Sequence, residues 1–150
     1  MRLTLLLAAA LALVALPAPA QDVGLIKVAS GSVQIERAGT KAKAQVGDAV
    51  RARDVVYTGA DGSAGITFSD NSLMSFGPNT VFAIDKYSFD TTTHAGEFEG
   101  SLRQGRLGAV SGKMVKQSPE SMKIRTPSSV MGVRGTEFFV QVDEPLAPAR

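Results

Sequence analysis

The chain has 150 residues, with 16 Lys and Arg against 14 Asp and Glu, and it contains no cysteine. The lack of cysteine excludes disulfides, thiolate metal sites and a lipidated N-terminal cysteine. A chain of this length can bury one core of ordinary size, so packing alone can hold a single domain together.

The first twenty residues have the pattern of a secretory signal peptide. Arg2 supplies a positive charge, residues 3–16 contain one polar side chain, and Ala18-Pro19-Ala20 offers small residues for cleavage. A membrane-spanning helix needs about 20 apolar residues, and Pro17 ends this run before that length. We therefore predict cleavage between Ala20 and Gln21, a product that is periplasmic or secreted, and no stable membrane span.

Beyond the leader, apolar residues alternate with polar ones, which is the period of a half-buried strand. The clearest case is Ser63–Ser69, where Ala64, Ile66 and Phe68 alternate with polar residues or glycine. Turn residues rich in Gly, Asn, Asp and Pro recur about every ten residues. The pattern predicts an all-β fold in a single domain, residues 21–142. The same alternation occurs at Val33 and Ile35, at Val81 and Ala83, at Met122 and Ile124, and at Phe138, Val140 and Val142.

A weak internal repeat leaves two architectures open. Apolar segments at 55–59, 64–68, 73–77 and 81–84 begin 9, 9 and 8 residues apart. This spacing is typical of a β-roll or a short solenoid-like fold, and equally of a meander in a β-sandwich. Residues 111–121 are predicted to form the longest internal loop, and residues 143–150, with two prolines, a disordered tail.

Charge is divided along the chain, although the net charge is only +2. From Asp54 to Gly100 there are seven acids and one base, and from Ser101 to Arg134 seven bases and one acid. The two blocks could neutralise each other within the fold, or the basic block could form a face for an anionic partner or for head-to-tail association. No aromatic residues interleave the basic block for base stacking, and export removes the substrate, so we expect no nucleic-acid partner.

Residues able to perform catalysis are scarce. The one histidine, His94, follows three threonines and is interpreted as a solvated loop residue. Without cysteine or a second histidine, a catalytic zinc site has no ligands, and no glycine-rich phosphate loop is present. Asp61 and Asp70 adjoin Gly and Asn, where turns use aspartate. We therefore expect no enzyme, no catalytic residues, no metal and no cofactor.

Three ordered blocks together resemble the FecR domain, a periplasmic module found in FecR-type anti-sigma proteins and in many other exported proteins. The resemblance covers about residues 23–142. Asn71 stands where the family usually has glycine, which fits a position with positive φ. The blocks are VGDAV at 46–50 leading to DVVYTG at 54–59 and DGSA at 61–64; ITFSDNSL at 66–73 with FGPNT at 76–80; and IRTP at 124–127, Val130 and VRGTEF at 133–138.

The resemblance implies an envelope module that binds a protein or another ligand. Full anti-sigma members add a sigma-binding helical region and a membrane span, and neither is recognisable here, so we do not expect sigma-factor binding. The anti-sigma members have a Gly-Thr bond that can break by itself, and the matching pair here is Gly135-Thr136. The favoured alternative is that Gly135 opens the last strand, residues 136–142, and that Thr136 only packs there.

We predict an unknown envelope protein or anionic ligand as the partner, bound by strand addition or through the surface residues Arg103, Arg106 and Arg125. The alternative function is a periplasmic component of a signalling system, which would need a separate membrane protein. A hydrolase of cell-wall glycan, which would need paired carboxylates, is the least favoured.

Overall fold

The computed structural model describes residue 16 and residues 20–143. The predicted signal peptide, except for Leu16 and Ala20, lies outside the described residues. So does the predicted tail, except for Asp143.

The all-β prediction is confirmed: the described residues form twelve strands and one short helix. The strands span Asp22 to Val142. The elements are β1 Asp22–Ser30, β2 Val33–Arg37, β3 Thr40–Lys43, β4 Ala49–Arg51, β5 Val55–Thr58, β6 Ser63–Phe68, β7 Leu73–Phe76, β8 Val81–Phe89, β9 Gly96–Val110, α1 Lys113–Gln117, β10 Met122–Arg125, β11 Val130–Gly132 and β12 Glu137–Val142.

All twelve strands belong to one curled sheet, which folds over itself into two halves. The first half has the order β4-β1-β6-β7-β9-β12, and the second half has the order β3-β2-β5-β8-β9-β10-β11. Strand β9 belongs to both halves. Every pair is antiparallel except β9–β10, so the repeated segments are not parallel rungs of a solenoid. Of the two architectures left open by the sequence, the curled sheet is closer to a roll.

The chain crosses from one half to the other at several points, and four of these crossings lie side by side: β1–β2, β5–β6, β7–β8 and the single strand β9. Each bends at a glycine-containing position, and the bends form a row across the sheet. Gly31 and Gly105 have φ of +64° and +95°, values that glycine adopts at little cost. The repeat detected in the sequence therefore reflects two bent strand pairs, β5–β8 and β6–β7.

Buried hydroxyl groups stabilise this row of bends. The side chain of Thr80 accepts a hydrogen bond from the Arg106 N–H at 3.0 Å and donates one to the Gly77 carbonyl at 2.8 Å. The Thr58 hydroxyl accepts from the Thr80 N–H at 2.9 Å and donates to the same Gly77 carbonyl at 2.7 Å. These side chains satisfy backbone groups that the bends remove from regular strand pairing.

The core lies between the two halves and contains four phenylalanines. Phe76 of the first half meets Phe82 of the second with ring centroids 5.1 Å apart, and Phe68 meets Phe98 at 5.2 Å. The alternation predicted for β6 is confirmed, since Ala64, Ile66 and Phe68 are all buried.

The simple alternation predicted for β8 is wrong, because Phe82, Ala83 and Ile84 are buried in succession while Val81 is half-buried. Phe82 and Ile84 belong to the core cluster, and Ala83, although buried, does not. Irregular pairing with β9 on both sides of this segment interrupts the simple alternation.

The predicted loop at 111–121 is wrong in part, because it contains α1. The helix buries Met114 and Val115. The N–H of Lys113 donates to the Asp70 carbonyl at 2.8 Å, which attaches the start of the helix to the β6–β7 turn. Two buried residues were too few to give a helical pattern in the sequence. In the same turn Asn71 has φ +67°, which confirms the positive φ expected there.

An ion pair between a buried aspartate and a partly exposed arginine joins β2 to the start of β5. Arg37 donates from Nε and Nη2 to the two carboxylate oxygens of Asp54, at 2.9 and 2.6 Å. Asp54 is 1% exposed and also accepts the N–H of Arg51 at 2.8 Å. The bidentate arrangement compensates for burying the carboxylate.

Candidate partner-binding site

Arg103 lies in a gap on one edge of β9. On that edge β10 pairs with β9 as far as Ser101, and β12 pairs with β9 from Gly105 onwards. Residues 102–104 therefore have no strand beside them on this side among the described residues. Arg103 is exposed and forms no ion pair with any residue in 20–143.

The gap opens into a groove of about 440 Å³ between the β10–β11 hairpin and the end of β12. One wall is the turn Thr126–Ser129, and the other is Val140–Asp143, with Arg103 at the base. The turn is held by the Thr126 N–H donating to the Ser129 carbonyl at 2.8 Å, and by the two hydroxyls 2.9 Å apart. A guanidinium beside hydroxyl groups is suited to binding a carboxylate.

Arg125 extends this basic surface over the outer face of the second half. It pairs in register with Ser101, two residues from Arg103 along the neighbouring strand. Its Nη2 atom lies 3.5 Å from Glu99 Oε2, and half of its side chain is exposed. An ion pair this long and this exposed adds little stability, so the guanidinium can reach a partner.

Arg106 does not belong to the same face as the other two arginines. The bend at Gly105 carries the chain into the first half, where Arg106 is exposed opposite Gln141. It borders a separate groove of about 260 Å³ with Pro78, Asn79 and Gly105. The structure therefore brings Arg103 and Arg125 together and places Arg106 across the bend. The glycine was visible in the sequence, but the change of face was not.

Sequence reasoning missed a polar cluster on the outer face of the second half. Tyr57 donates its hydroxyl to Glu36 Oε2 at 2.9 Å, and the Lys41 ammonium lies 3.9 Å from the centre of its ring. The hydrogen bond to Glu36 and partial burial raise the pKa of Tyr57, while the positive charge of Arg103 lowers it.

The two charge blocks do not neutralise each other through many direct contacts. Within residues 20–143, only the Arg125–Glu99 pair joins the acidic block to the basic one. Lys86 pairs with Glu97 at 2.5 Å inside the acidic block, and this contact raises the pKa of Lys86 and lowers that of Glu97. Most cations of the basic block are exposed, and within residues 20–143 they form no ion pair.

The Gly135-Thr136 bond lies in the exposed connection between β11 and β12. Gly135 has φ +110°, in the region that favours glycine. Ser111 donates its hydroxyl to the Gly135 carbonyl oxygen at 2.6 Å, and its N–H donates to the Thr136 carbonyl at 2.7 Å. The carbonyl of this bond is therefore already polarised by a hydrogen-bond donor that the sequence did not reveal.

The acidic residues considered from the sequence are occupied by structural contacts. Asp61 and Asp70 both lie in turns. Asp70 is fully buried and accepts the Ser72 N–H and hydroxyl at 3.0 and 2.6 Å. Burial and the charge of Asp70 raise the pKa of the adjacent Tyr87. His94 lies in the β8–β9 turn, where its ring stacks on Phe89.

The described residues contain no group of three or more His, Asp or Glu side chains arranged to hold a metal ion. In the same part of the chain, no helix has the length and hydropathy required to cross a bilayer.

The fold defines the class of this protein as an all-β domain built from one curled sheet with a single embedded short helix. Residues 54–147 match the family model described as FecR protein, which covers more than half of the chain. The chain therefore belongs to the FecR family, and the resemblance inferred from the sequence is confirmed. The match begins at Asp54, so strands β1–β4 precede it. Neither the curated proteins nor the solved structures include a match to the chain.

Proposed function

We propose that this FecR-family chain is an exported, non-enzymatic module that binds an extended acidic segment of another envelope protein in the groove at Arg103. The position of Arg103 carries this proposal. Its guanidinium lies in a gap between two strands, without an ion-pair partner among residues 20–143, and opposite a turn of hydroxyl groups. A carboxylate entering the groove would receive paired N–H groups at little conformational cost.

The edge of β12 supports an extended occupant. Within the described residues β12 pairs only with β9, so its other edge has free N–H and C=O groups. A segment added there as a further strand would pass Gln141–Asp143, which form one wall of the groove. Main-chain pairing would then supply affinity, and contact with Arg103 would supply selectivity for an acidic side chain.

Site-specific photo-crosslinking in intact cells tests the proposal. A photoreactive residue at exposed Ser128, in the groove wall, should form an adduct with a protein partner, and one at exposed Thr40, on the distant β3 edge, should not. Arg103→Glu should reduce the Ser128 adduct at least about tenfold, because a charge-assisted contact of roughly 1.5–3 kcal/mol becomes repulsive. Lys43→Glu, the same charge change on β3, should leave it intact.

A Ser128 adduct that Arg103→Glu and Lys43→Glu reduce equally would overturn the assignment of the groove. The absence of any adduct at Ser128, with the protein present in the envelope, would overturn protein binding at this site.

Export is the second part of the proposal, supported by the leader pattern at residues 1–20. Intact-mass measurement of protein from the envelope fraction should give a chain beginning at Gln21. Recovery of the chain from the cytosol with Met1 still present would contradict it.

We also propose that the Gly135-Thr136 bond cleaves itself slowly. The Thr136 hydroxyl would attack the Gly135 carbonyl carbon, the C–N bond would break as its nitrogen takes up the hydroxyl proton, and water would hydrolyse the resulting ester. The Ser111 hydroxyl, 2.6 Å from the carbonyl oxygen, is placed to stabilise the negative charge that develops there.

Mass spectrometry of purified protein over a long incubation tests the cleavage. Thr136→Ala should abolish the two fragments, Thr136→Ser should retain them, and Ser111→Ala should slow their formation about a hundredfold, the usual effect of losing one such donor. An intact wild-type chain, or equal cleavage in Thr136→Ala, would rule out this chemistry.

A further inference from the structure

The outer face of the first half is apolar over much of its area, and its charged residues lie towards its edges. Among the described residues, it carries five large hydrophobic side chains that remain 40–65% exposed. They are brought together by strand register, since they lie on β1, β7, β9 and β12. We call this the apolar face; the five side chains are Leu25, Val28, Leu73, Val110 and Phe139.

The middle row of the apolar face consists of three small residues and one phenylalanine at its end. The register aligns Gly65 of β6 with Ser75 of β7, Gly108 of β9 and Phe139 of β12. A Cβ added at Gly108 would lie 4.0 Å from the Phe139 ring, so the ring lies beside an uncovered stretch of backbone. Such a row allows a second sheet to approach to about 10 Å, the usual spacing of stacked sheets.

Within strands β6, β7, β9 and β12, as far as the described residues extend, two charged side chains face outward from the apolar face, and a third, Asp143, follows β12 and accepts a hydrogen bond from Gln141 at 2.7 Å. Glu137 lies opposite Val110 at one end of the β9–β12 pair, and Arg106 lies opposite Gln141 at the other. Four residues of strand separate these positions, which corresponds to about 14 Å. No ion pair within residues 20–143 involves either one. The outer face of the second half carries two Lys–Glu pairs and one Arg–Glu pair, whereas the ion pair of the first half, Arg51–Asp22, lies at its β1–β4 edge.

We propose that the apolar face binds the same face of a second copy of this chain. In this dimer a two-fold axis lies between the two faces, parallel to the row Gly65–Ser75–Gly108–Phe139 and perpendicular to the strands. Rotation about this axis places β9 of one copy over β9 of the other and β12 over β12, with the strand directions reversed. It therefore places Arg106 of each copy against the Glu137 end of the other, giving two equivalent ion pairs. The Phe139 rings meet near the axis. The interface is isologous, as in most homodimers, and uses face-to-face sheet packing.

The charge arrangement identifies the occupant, because it is complementary to its own rotated image. A lipid surface would not require an acidic residue at one end of the face. Arg103 and the outer edge of β12 lie outside the face, although Gln141 borders both the groove and the face. The dimer and the proposed partner binding are distinguishable, because Arg103→Glu should leave the dimer intact.

Sedimentation of the chain 21–150 over a range of concentrations tests the dimer. Wild type should show a concentration-dependent mass of two chains. Phe139→Ser should give monomers, whereas Val46→Ser, at an equally exposed site outside the face, should not. Arg106→Glu and Glu137→Arg should each weaken association about tenfold or more, since each places like charges together at two symmetric contacts. The double variant should restore association, because the pair is regenerated with reversed polarity.

Circular dichroism would verify that each variant is folded. A wild-type chain that is monomeric throughout, including one that binds lipid vesicles or another protein through this face, would overturn the proposal. So would a dimer unaffected by Phe139→Ser, or a double variant as weak as the single ones.

Discussion

Substitution of Gly105 and Gly47 by alanine, compared as a matched pair, tests how closely Gly105 packs against Thr80 at the row of bends. Their φ angles are +95° and +96°. An added Cβ at Gly47 would meet nothing within 4 Å, whereas at Gly105 it would overlap the side chain and the backbone of Thr80. Alanine at either site has the same unfavourable φ, so the difference between the two variants isolates the steric conflict.

The magnitudes follow from these contacts. Alanine at positive φ costs about 1–2 kcal/mol, which is the whole effect expected for Gly47→Ala. At Gly105 the displaced Thr80 also loses its hydrogen bonds to the Arg106 N–H and the Gly77 carbonyl, at about 1 kcal/mol each. We therefore expect a loss of about 3–4 kcal/mol in the free energy of unfolding for Gly105→Ala.

Equilibrium urea unfolding, followed by far-ultraviolet circular dichroism and tyrosine fluorescence, measures this difference; the chain has no tryptophan. With an m-value of about 2 kcal/mol/M, the midpoint for Gly105→Ala should fall about 1 M below that for Gly47→Ala. Equal midpoints with unchanged m-values would refute the idea that tight packing of Gly105 against Thr80 holds the bend.

Two further predictions concern polar groups. Asp54→Ala should lower the free energy of unfolding by about 2–3 kcal/mol, because it removes the bidentate contact to Arg37 and the acceptor of the Arg51 N–H. Asp22→Ala, which removes an exposed partner of Arg51, should cost less than about 1 kcal/mol, and similar losses would contradict the reasoning. Thr80→Val should lower the free energy of unfolding by about 1–3 kcal/mol, because it leaves the Arg106 N–H without an acceptor. The control Thr40→Val, at an exposed site, should stay within about 0.5 kcal/mol of wild type. Thermal denaturation of the two variants measures the difference.

Much of the fold could be predicted where local pattern and final environment agree. Strand β6 alternates because one of its faces meets the core and the other does not. The pattern failed at β8, where irregular pairing with β9 changes the inward residues, and at α1, which is too short to show a period. Both failures arise from contacts with distant parts of the chain.

The candidate site was predictable in composition but not in layout. The basic block identified Arg103, Arg106 and Arg125, yet only the bend at Gly105 decides that Arg106 faces away from the other two. Similarly, Ser111 reaches Gly135 across 24 residues, and the five side chains of the apolar face come from four strands. Such relations require the pairing of strands, which a single sequence does not contain.

Because β9 runs through both halves, neither half can separate from the other without breaking hydrogen bonds on the same strand. A domain made of two independent sheets could open one layer at a time. Here local opening should propagate along β9, so amide hydrogens near Gly100 and near Gly108 should exchange at similar rates, through a single cooperative unfolding event. A protease in the surrounding medium would then find no partly opened layer to cut.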